Sequence, residues 1–352
     1  MSELPEGVSL PPARAPKTRP SASVMLSRES KGGHEVLLGH RVSELPSFPD
    51  FWAFPGGGVS KVDREASKDH PGWLGVDEEY RAASFALLRE MVEEVGLTPD
   101  GSGGIMSIEE SIREEVCQDK GAWRKNVELG NITTEGFHCE MITDRTTPPF
   151  APMRFQNFFF HVPTGGPGVN PTFPPGRSEF DEFRWWKPGD LLSAWEKNQL
   201  RVPPPIVTLL RDIVDRIGVD GDLQSACDSL AAEPPSGDHR LEFAPGVEVV
   251  PLETETLPPS THTNCYILGE PGGEMVIVDP AARSGRSLDY LGAKISGALS
   301  PGSSIVASVF THMHPDHIGD ISGISEIYPA PIWASEETLE AIPGAVDSSA
   351  LK

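Results

Sequence analysis

Four cysteines in 352 residues, at Cys117, Cys139, Cys227 and Cys265, form no CxxC pair and no dense framework. That excludes a disulfide-stapled secreted domain, and it predicts reduced thiols in a cytoplasmic compartment. Long apolar runs are missing too: nothing approaches the ~18 consecutive apolar residues of a membrane-spanning helix. Residues 1–20 carry Glu3, Glu6, Pro11, Pro12, Pro16 and Pro20 with no apolar stretch. They read as a disordered arm, not a signal peptide or transit helix. Positive charge is scarce, with 29 Lys+Arg against 52 Asp+Glu and a net charge of −23 at pH 7. Phosphate backbones and anionic lipid demand clustered Lys and Arg, so neither DNA nor a membrane is an expected partner. A small phosphorylated molecule stays open, because carboxylates hold one through metal ions.

The 38% hydrophobic content suffices for a sizeable core, and the length predicts about two domains. Short strands are expected at Ser23–Leu26 and Glu35–Leu38, divided by Lys31-Gly32-Gly33, and again at Phe51–Phe54 before a glycine turn. Residues 61–79 are polar and read as an insertion. Phe85, Leu88, Val92 and Val95 recur at helical spacing over 81–95, and Gly96 is the expected stop. Further helices are predicted over 109–130, 191–196 and 206–217, with a buried strand over 155–162. The stretch 218–240, ending in Pro234-Pro235-Ser236-Gly237, reads as a linker that holds at most a short helix. Beyond it, β-type runs at 265–268, 275–278 and 305–310, with a helix near 287–299, predict a second α/β unit over 241–352.

Arg89-Glu90-Met91-Val92-Glu93-Glu94-Val95-Gly96-Leu97 is the sharpest feature of the first half. On one α-helix Glu90, Glu93 and Glu94 share a face, where like charges repel by a few tenths of a kcal/mol. A hard cation such as Mg²⁺ or Mn²⁺ turns that cost into a site. Arg89 is placed to pair with Glu93 one turn on. The segment matches the second half of the Nudix box, and Phe54-Pro55-Gly56-Gly57 is the usual entry to it. Residues 21–217 therefore resemble the Nudix hydrolases. Two departures stand out: the position eight before Arg89 is Arg81 where the box has Glu, and the 32-residue step from Gly57 to Arg89 is 18 longer than in the uninterrupted box.

Thr147-Pro148-Pro149, Arg154–Phe159, Glu179 ahead of Trp185-Trp186, and Pro203–Pro205 resemble the branch with interrupted boxes that includes animal coenzyme A diphosphatases. Leu37-Leu38, Arg41 and Phe54 fall at the spacing of the coenzyme A signature, whereas Val42, Pro46 and Asp50 depart from it. The resemblance implies an α/β/α sandwich that hydrolyses a nucleoside diphosphate linked to another group, coenzyme A or a derivative among the candidates. Glu90, Glu93 and Glu94 would hold Mg²⁺ or Mn²⁺, Arg89 would orient a glutamate, and Gly56 and Gly57 would let backbone approach substrate. Glu179 would be an added base or ligand, and Arg41 would meet phosphate.

Thr311-His312-Met313-His314-Pro315-Asp316-His317 follows an apolar strand, and that many imidazoles suit neither a core nor a turn. They suit zinc: His312 and His314 on one ion, Asp316 and His317 on a second. The H-x-H-x-D-H pattern, Asp279 at a strand end and Thr263–Tyr266 as an opening strand resemble metallo-β-lactamase-fold hydrolases of the glyoxalase II-like branch. That implies an αββα fold of which only the N-terminal half is expected, since 35 residues follow His317 and none is histidine. An alternative reading puts zinc-dependent thioester or RNA hydrolysis in a longer parent chain, with the first domain as a recognition module.

Overall fold

The computed structural model describes residues 14–70, 76–165, 168–235, 239–342 and 348–350. Most of the expected arm, His70-Pro71-Gly72 beyond His70, and 236–238 of the expected linker lie outside them. Two compact units form, one from Thr18–Thr146 with Phe155–His239, the other mainly from Arg240–Lys352.

In the N-terminal unit, β1 (Thr18–Ser30) and β2 (Gly33–Arg41) make an antiparallel hairpin. β3 (Trp52–Ala53) extends β2, and β4 (Gly56–Gly58) lies against β1. Then come α1 (Lys61–Asp69), α2 (Glu78–Glu90), a π-turn over Met91–Val95, and the small hairpin β5 (Leu97–Pro99) with β6 (Ile105–Ser107). The chain continues through α3 (Glu110–Gln118), α4 (Lys120–Glu128), β7 (Glu140–Thr146), β8 (Arg154–Pro163) and β9 (Phe180–Trp186). It closes with α5 (Pro188–Glu196), α6 (Pro204–Asp220) and α7 (Leu223–Ala232). The sheet runs β3-β2-β1-β8-β7, with β9 on β2.

Side-chain alternation explains the three layers. In β1, Val24 and Leu26 enter one core and Met25 the other; in β8, Phe158 and Phe160 oppose Phe159. Successive strand residues point to opposite faces, so both faces need cover. Phe85, Leu88 and Val92 cover the first, and Leu191, Trp195, Leu209 and Leu210 the second.

Three local expectations are corrected. The insertion is not featureless: its first part is α1, opened by a Ser60/Asp63 capping box. The single helix over 109–130 is two, because Asp119 turns extended and its side chain accepts the Gly121 N–H to start α4. The start of the stretch read as linker holds the end of α6 and all of α7, whose Leu223, Ala226, Cys227 and Leu230 form a buried helical stripe.

The C-terminal unit has one sheet among the described residues. β10 (Glu242–Ala244), β11 (Val247–Glu253), β12 (His262–Leu268) and β13 (Glu274–Val278) are antiparallel neighbours. α8 (Gly285–Ala298) then leads to β14 (Ser304–Val309), parallel to β13. After α9 (Pro315–Ile318) and α10 (Ile321–Ile327) come β15 (Ile332–Ala334), α11 (Glu336–Ala341) and β16 (Ser348–Ala350), both strands added in parallel. Val250, Cys265, Ile267 and Ile277 pack against Leu291, Ile295 and Ile324 of α8 and α10. No described helix is long and apolar enough to cross a membrane.

Candidate active site

α2 buries Phe85, Leu87, Leu88 and Arg89, and its chain runs on into the π-turn 91–95. Glu90 ends the α-helical part, while Glu93 and Glu94 sit in the π-turn; one uninterrupted α-helix was expected. Such turns are rare and recur at functional sites. Gly96 closes it at φ +70°, where a side chain would be strained.

Arg89 is fully buried at the centre of the site. Its Nε donates to Asp63 Oδ1 at 2.9 Å and its Nη2 to Asp63 Oδ2 at 3.1 Å and Gly58 O at 3.1 Å. Nη1 meets Glu93 Oε2 at 3.0 Å, as expected, and also Glu90 Oε1 at 2.8 Å. Burial acts to lower the Arg89 pKa, but Glu90, Asp63 and Glu93 outweigh it and hold the guanidinium above its ordinary value.

Asp63 is the partner that sequence reasoning missed. Counting back from Arg89 lands on Arg81, but Asp63 lies six residues after Gly57, where the box acid falls when counted forward. The extra residues stand between acid and arginine, so only the forward count works. Ser60 pins Asp63, its N–H and Oγ each donating to Oδ2 at 2.7 Å. A second missed residue, Arg113 of α3, donates to the carbonyls of Val92 and Glu93 at 3.0 Å each and of Thr172 at 2.8 Å. It satisfies carbonyls at the end of the glutamate-bearing turn, and no local pattern announces it.

The glycine turn is shaped around the acids. The Gly56 N–H donates to Glu94 Oε2 at 2.7 Å, so that amide is taken by the protein itself. A Cβ on Gly56 would stand 2.1 Å from Ala22 O, and one on Gly57 2.2 Å from Glu90 Oε1. Arg41 and Glu179, from β2 and the residue before β9, meet at 3.4 Å. Both act on Glu94, Glu179 by repulsion and Arg41 by attraction.

The carboxyls are short of positive charge. Burial, with repulsion from Glu93 and against the pull of Arg89, lifts Glu90 to about 7. Glu93 is raised by burial despite Arg89. Glu94 is pushed well above the carboxylate range by burial, then by Glu90 and Glu179. Glu93 Oε1 is buried with no partner. An orphaned oxygen among crowded carboxylates is the donor chemistry of a hard divalent cation. As the side chains stand, however, no three described His, Cys, Asp or Glu residues are gathered closely enough to hold an ion.

In the C-terminal unit the histidine cluster sits between β14 and α9. The His312 ring centroid lies 4.1 Å from that of His317 and 4.6 Å from that of His314. Asp279, at φ +48° after β13, accepts the Thr311 N–H and Oγ–H at 2.8 and 2.7 Å and lies 2.9 Å from His317 Nδ1. Thr311 Oγ1 is also 2.9 Å from His312 Nδ1. A carboxylate behind an imidazole sets ring orientation and leaves the other nitrogen free for a ligand. Burial and the two neighbouring imidazoles lower the His312 pKa. Asp316 stands apart, 3.9 Å from His317 Nε2. The donor types suit zinc, but the set is not closed around an ion.

Among solved structures, a NUDIX hydrolase from Alicyclobacillus acidocaldarius is 23% identical with a TM-score of 0.53, covering 62% of this chain and 99% of that one. The NUDIX domain of Shewanella oneidensis NrtR, in complex with ADP ribose, is 12% identical with a TM-score of 0.32, over 61% of this chain and 90% of the other. A C. elegans Ap4A hydrolase is 16% identical with a TM-score of 0.29, over 56% and 98%. The first likeness shows a Nudix fold; the other two are too loose to argue from. Residues 258–351 match the family model of the metallo-beta-lactamase superfamily. No curated protein matches the chain. The chain thus joins a Nudix-fold unit to a metallo-β-lactamase-superfamily segment, and both families generally use divalent metals.

Proposed function

We propose that residues 18–239 form a metal-dependent pyrophosphohydrolase that splits a nucleoside diphosphate linked to another group. The observation that carries this is the Arg89 hub, which gathers Asp63, Glu90 and Glu93 while Glu93 Oε1 is left without a partner. A merely structural ion-pair network would not leave that oxygen buried and unused.

Glu90, Glu93 and Glu94 would hold Mg²⁺ or Mn²⁺, which when bound neutralises charge on diphosphate oxygens and lowers the pKa of water. Arg89 fixes Glu90 and Glu93, so both carboxylates are pre-set before substrate arrives. Glu94 is held by the Gly56 amide, which ties the acid helix to the glycine turn. Glu179 would take a proton from attacking water, and Arg41 would donate to a phosphate oxygen; the orphaned Arg41 Nε supports the latter role. The net charge of −23 leaves a small nucleotide-type molecule as the substrate class and argues against DNA. All four thiols are free, which supports a reducing, cytoplasmic setting.

The test is Mg²⁺- or Mn²⁺-dependent hydrolysis by the full chain of coenzyme A, acyl-coenzyme A, ADP-ribose, NADH and dinucleoside polyphosphates, with Glu93→Gln/Glu94→Gln as control. Turnover that disappears in the control supports the reading and names the substrate; no turnover by folded protein refutes it.

A second reading is favoured by Asp279 behind His317 and by Thr311, itself held by Asp279, behind His312. It places zinc in the C-terminal unit, His312 and His314 on one ion, Asp316 and His317 on another. Stoichiometric zinc uptake that is lost in His312→Ala supports it; none in the wild type refutes it.

A further inference from the structure

A cavity of about 630 Å³ opens in the N-terminal unit between the first turn of α2, the start of β7, the end of β8 and α7. Tyr80 in its wall lies ten residues before Glu90 on α2, about 15 Å along the axis at ~1.5 Å per residue. It is therefore separate from the glutamate cluster.

The wall has two kinds of surface. Met141, Pro163 and Ala231 are apolar, whereas Glu140 and Asp228 bring two mutually repelling carboxyls, Asp228 Oδ1 accepting from Gln224 Nε2 at 2.6 Å. Among the described residues no Lys or Arg lines the cavity and neither carboxyl has an ion-pair partner. His161, also in the wall, is 1% exposed. Its Nε2 lies 2.7 Å from Ser27 Oγ, and its Nδ1 is buried with no partner at all.

We propose that this cavity is a second ligand site that takes a small aliphatic primary amine, its ammonium between Glu140, Asp228 and His161 Nδ1 and its methylenes along Met141, Pro163 and Ala231. An ammonium has three donors on one compact charge, and the cavity offers three acceptors. In the tautomer whose Nε2–H donates to Ser27 Oγ, Nδ1 carries the free lone pair. Burial keeps the ring neutral, with a pKa lowered to about 4, so it remains an acceptor at neutral pH. Burial and Asp228 raise the Glu140 pKa, as expected where a second carboxyl and no cation faces it. The amine supplies the missing positive charge. An anion would meet three acids, since Asp77 also lines the wall. A bare metal ion is disfavoured by the apolar walls.

Calorimetric titration of the full chain with 1,4-diaminobutane tests this, with 1,4-butanediol as the uncharged counterpart. The variants are Glu140→Gln, Asp228→Asn and, for general acidity, Glu114→Gln on exposed α3. The expected result is saturable uptake of the diamine at one site, none of the diol, and at least tenfold weaker affinity in each cavity variant with no change in Glu114→Gln. The diamine must also move the His161 imidazole ¹⁵N resonance of the wild type, a readout that needs no variant to fold. Unsaturable binding, equal uptake of the diol, equal affinity in all variants, or an unmoved His161 resonance overturns the proposal.

Discussion

The glutamate cluster and the histidine cluster are both rich in metal-ligand donors, yet they are built in opposite ways. Glu90, Glu93 and Glu94 are supported by α1, the glycine turn, α3 and β2, with a fully buried arginine at the hub. The four C-terminal donors come from one segment of six residues, with Asp279 their support from another strand. Geometry held by several distant segments survives loss of a ligand ion, because packing and ion pairs define it. Geometry held by one loop depends on the ion, as binding energy must order the side chains.

The largest effect that would break this comparison is on turnover. Glu93→Gln/Glu94→Gln should lower metal-dependent hydrolysis by at least about 10²-fold. Its melting temperature without metal should not fall, since the change removes buried like charge. A variant that melts much lower would mean that the acids are structural.

Next comes the hub. Asp63→Ala leaves Arg89 buried with fewer acceptors, and breaking a buried ion pair costs about 3–5 kcal/mol. Denaturant unfolding of the full chain should show that loss in the N-terminal transition alone, with Asp63→Glu recovering part of it. A change under about 1 kcal/mol would show that Glu90 and Glu93 suffice for Arg89.

Acid separates the units by their histidines. Burial lowers the His161 pKa to about 4, Asp228 opposing and His34 adding to the shift. The unfolded chain therefore binds a proton between about pH 6.5 and 4 that the folded one does not. Stability is lost as pH falls through that window, by up to about 3 kcal/mol at ~1.4 kcal/mol per unit. His161→Gln should flatten the acid limb of a stability–pH curve; an unchanged limb would show that His161 is neutral for another reason or not buried.

The smallest effect concerns Asp279. Asp279→Asn should weaken zinc binding about 10–100-fold, the usual cost of losing the group behind a ligating imidazole. Equal affinity, read by competition with a chromogenic chelator, would mean that His317 is oriented by packing alone.

The strands that end in turns and the periodic helices were readable because their signals are local. β7, β9, β11 and β15 were not foreseen: in β9 the adjacent Asp181 and Glu182 are both exposed, as is Arg184, which breaks the alternation. In the site, Arg89, Glu90, Glu93 and Glu94 were readable as one contiguous motif, and the structure brings Arg41, Gly56, Gly57 and Glu179 to it. Asp63 was obscured by the length between it and Arg89, and Arg113 by the lack of any pattern linking it to carbonyls twenty residues away.

Sequence alone determined the net charge of −23, the glutamate segment and its stop at Gly96, and the histidine cluster after an apolar strand. Each is a matter of composition or of neighbours within a few turns, where chain geometry dictates which residues share a face. Tertiary structure alone decided which acid takes Arg89, that the glutamates lie in a π-turn, and that Glu140, Asp228 and His161 meet around a cavity. Those three come from α7 and two strands, and only the folded chain brings them close enough for their energies to depend on each other.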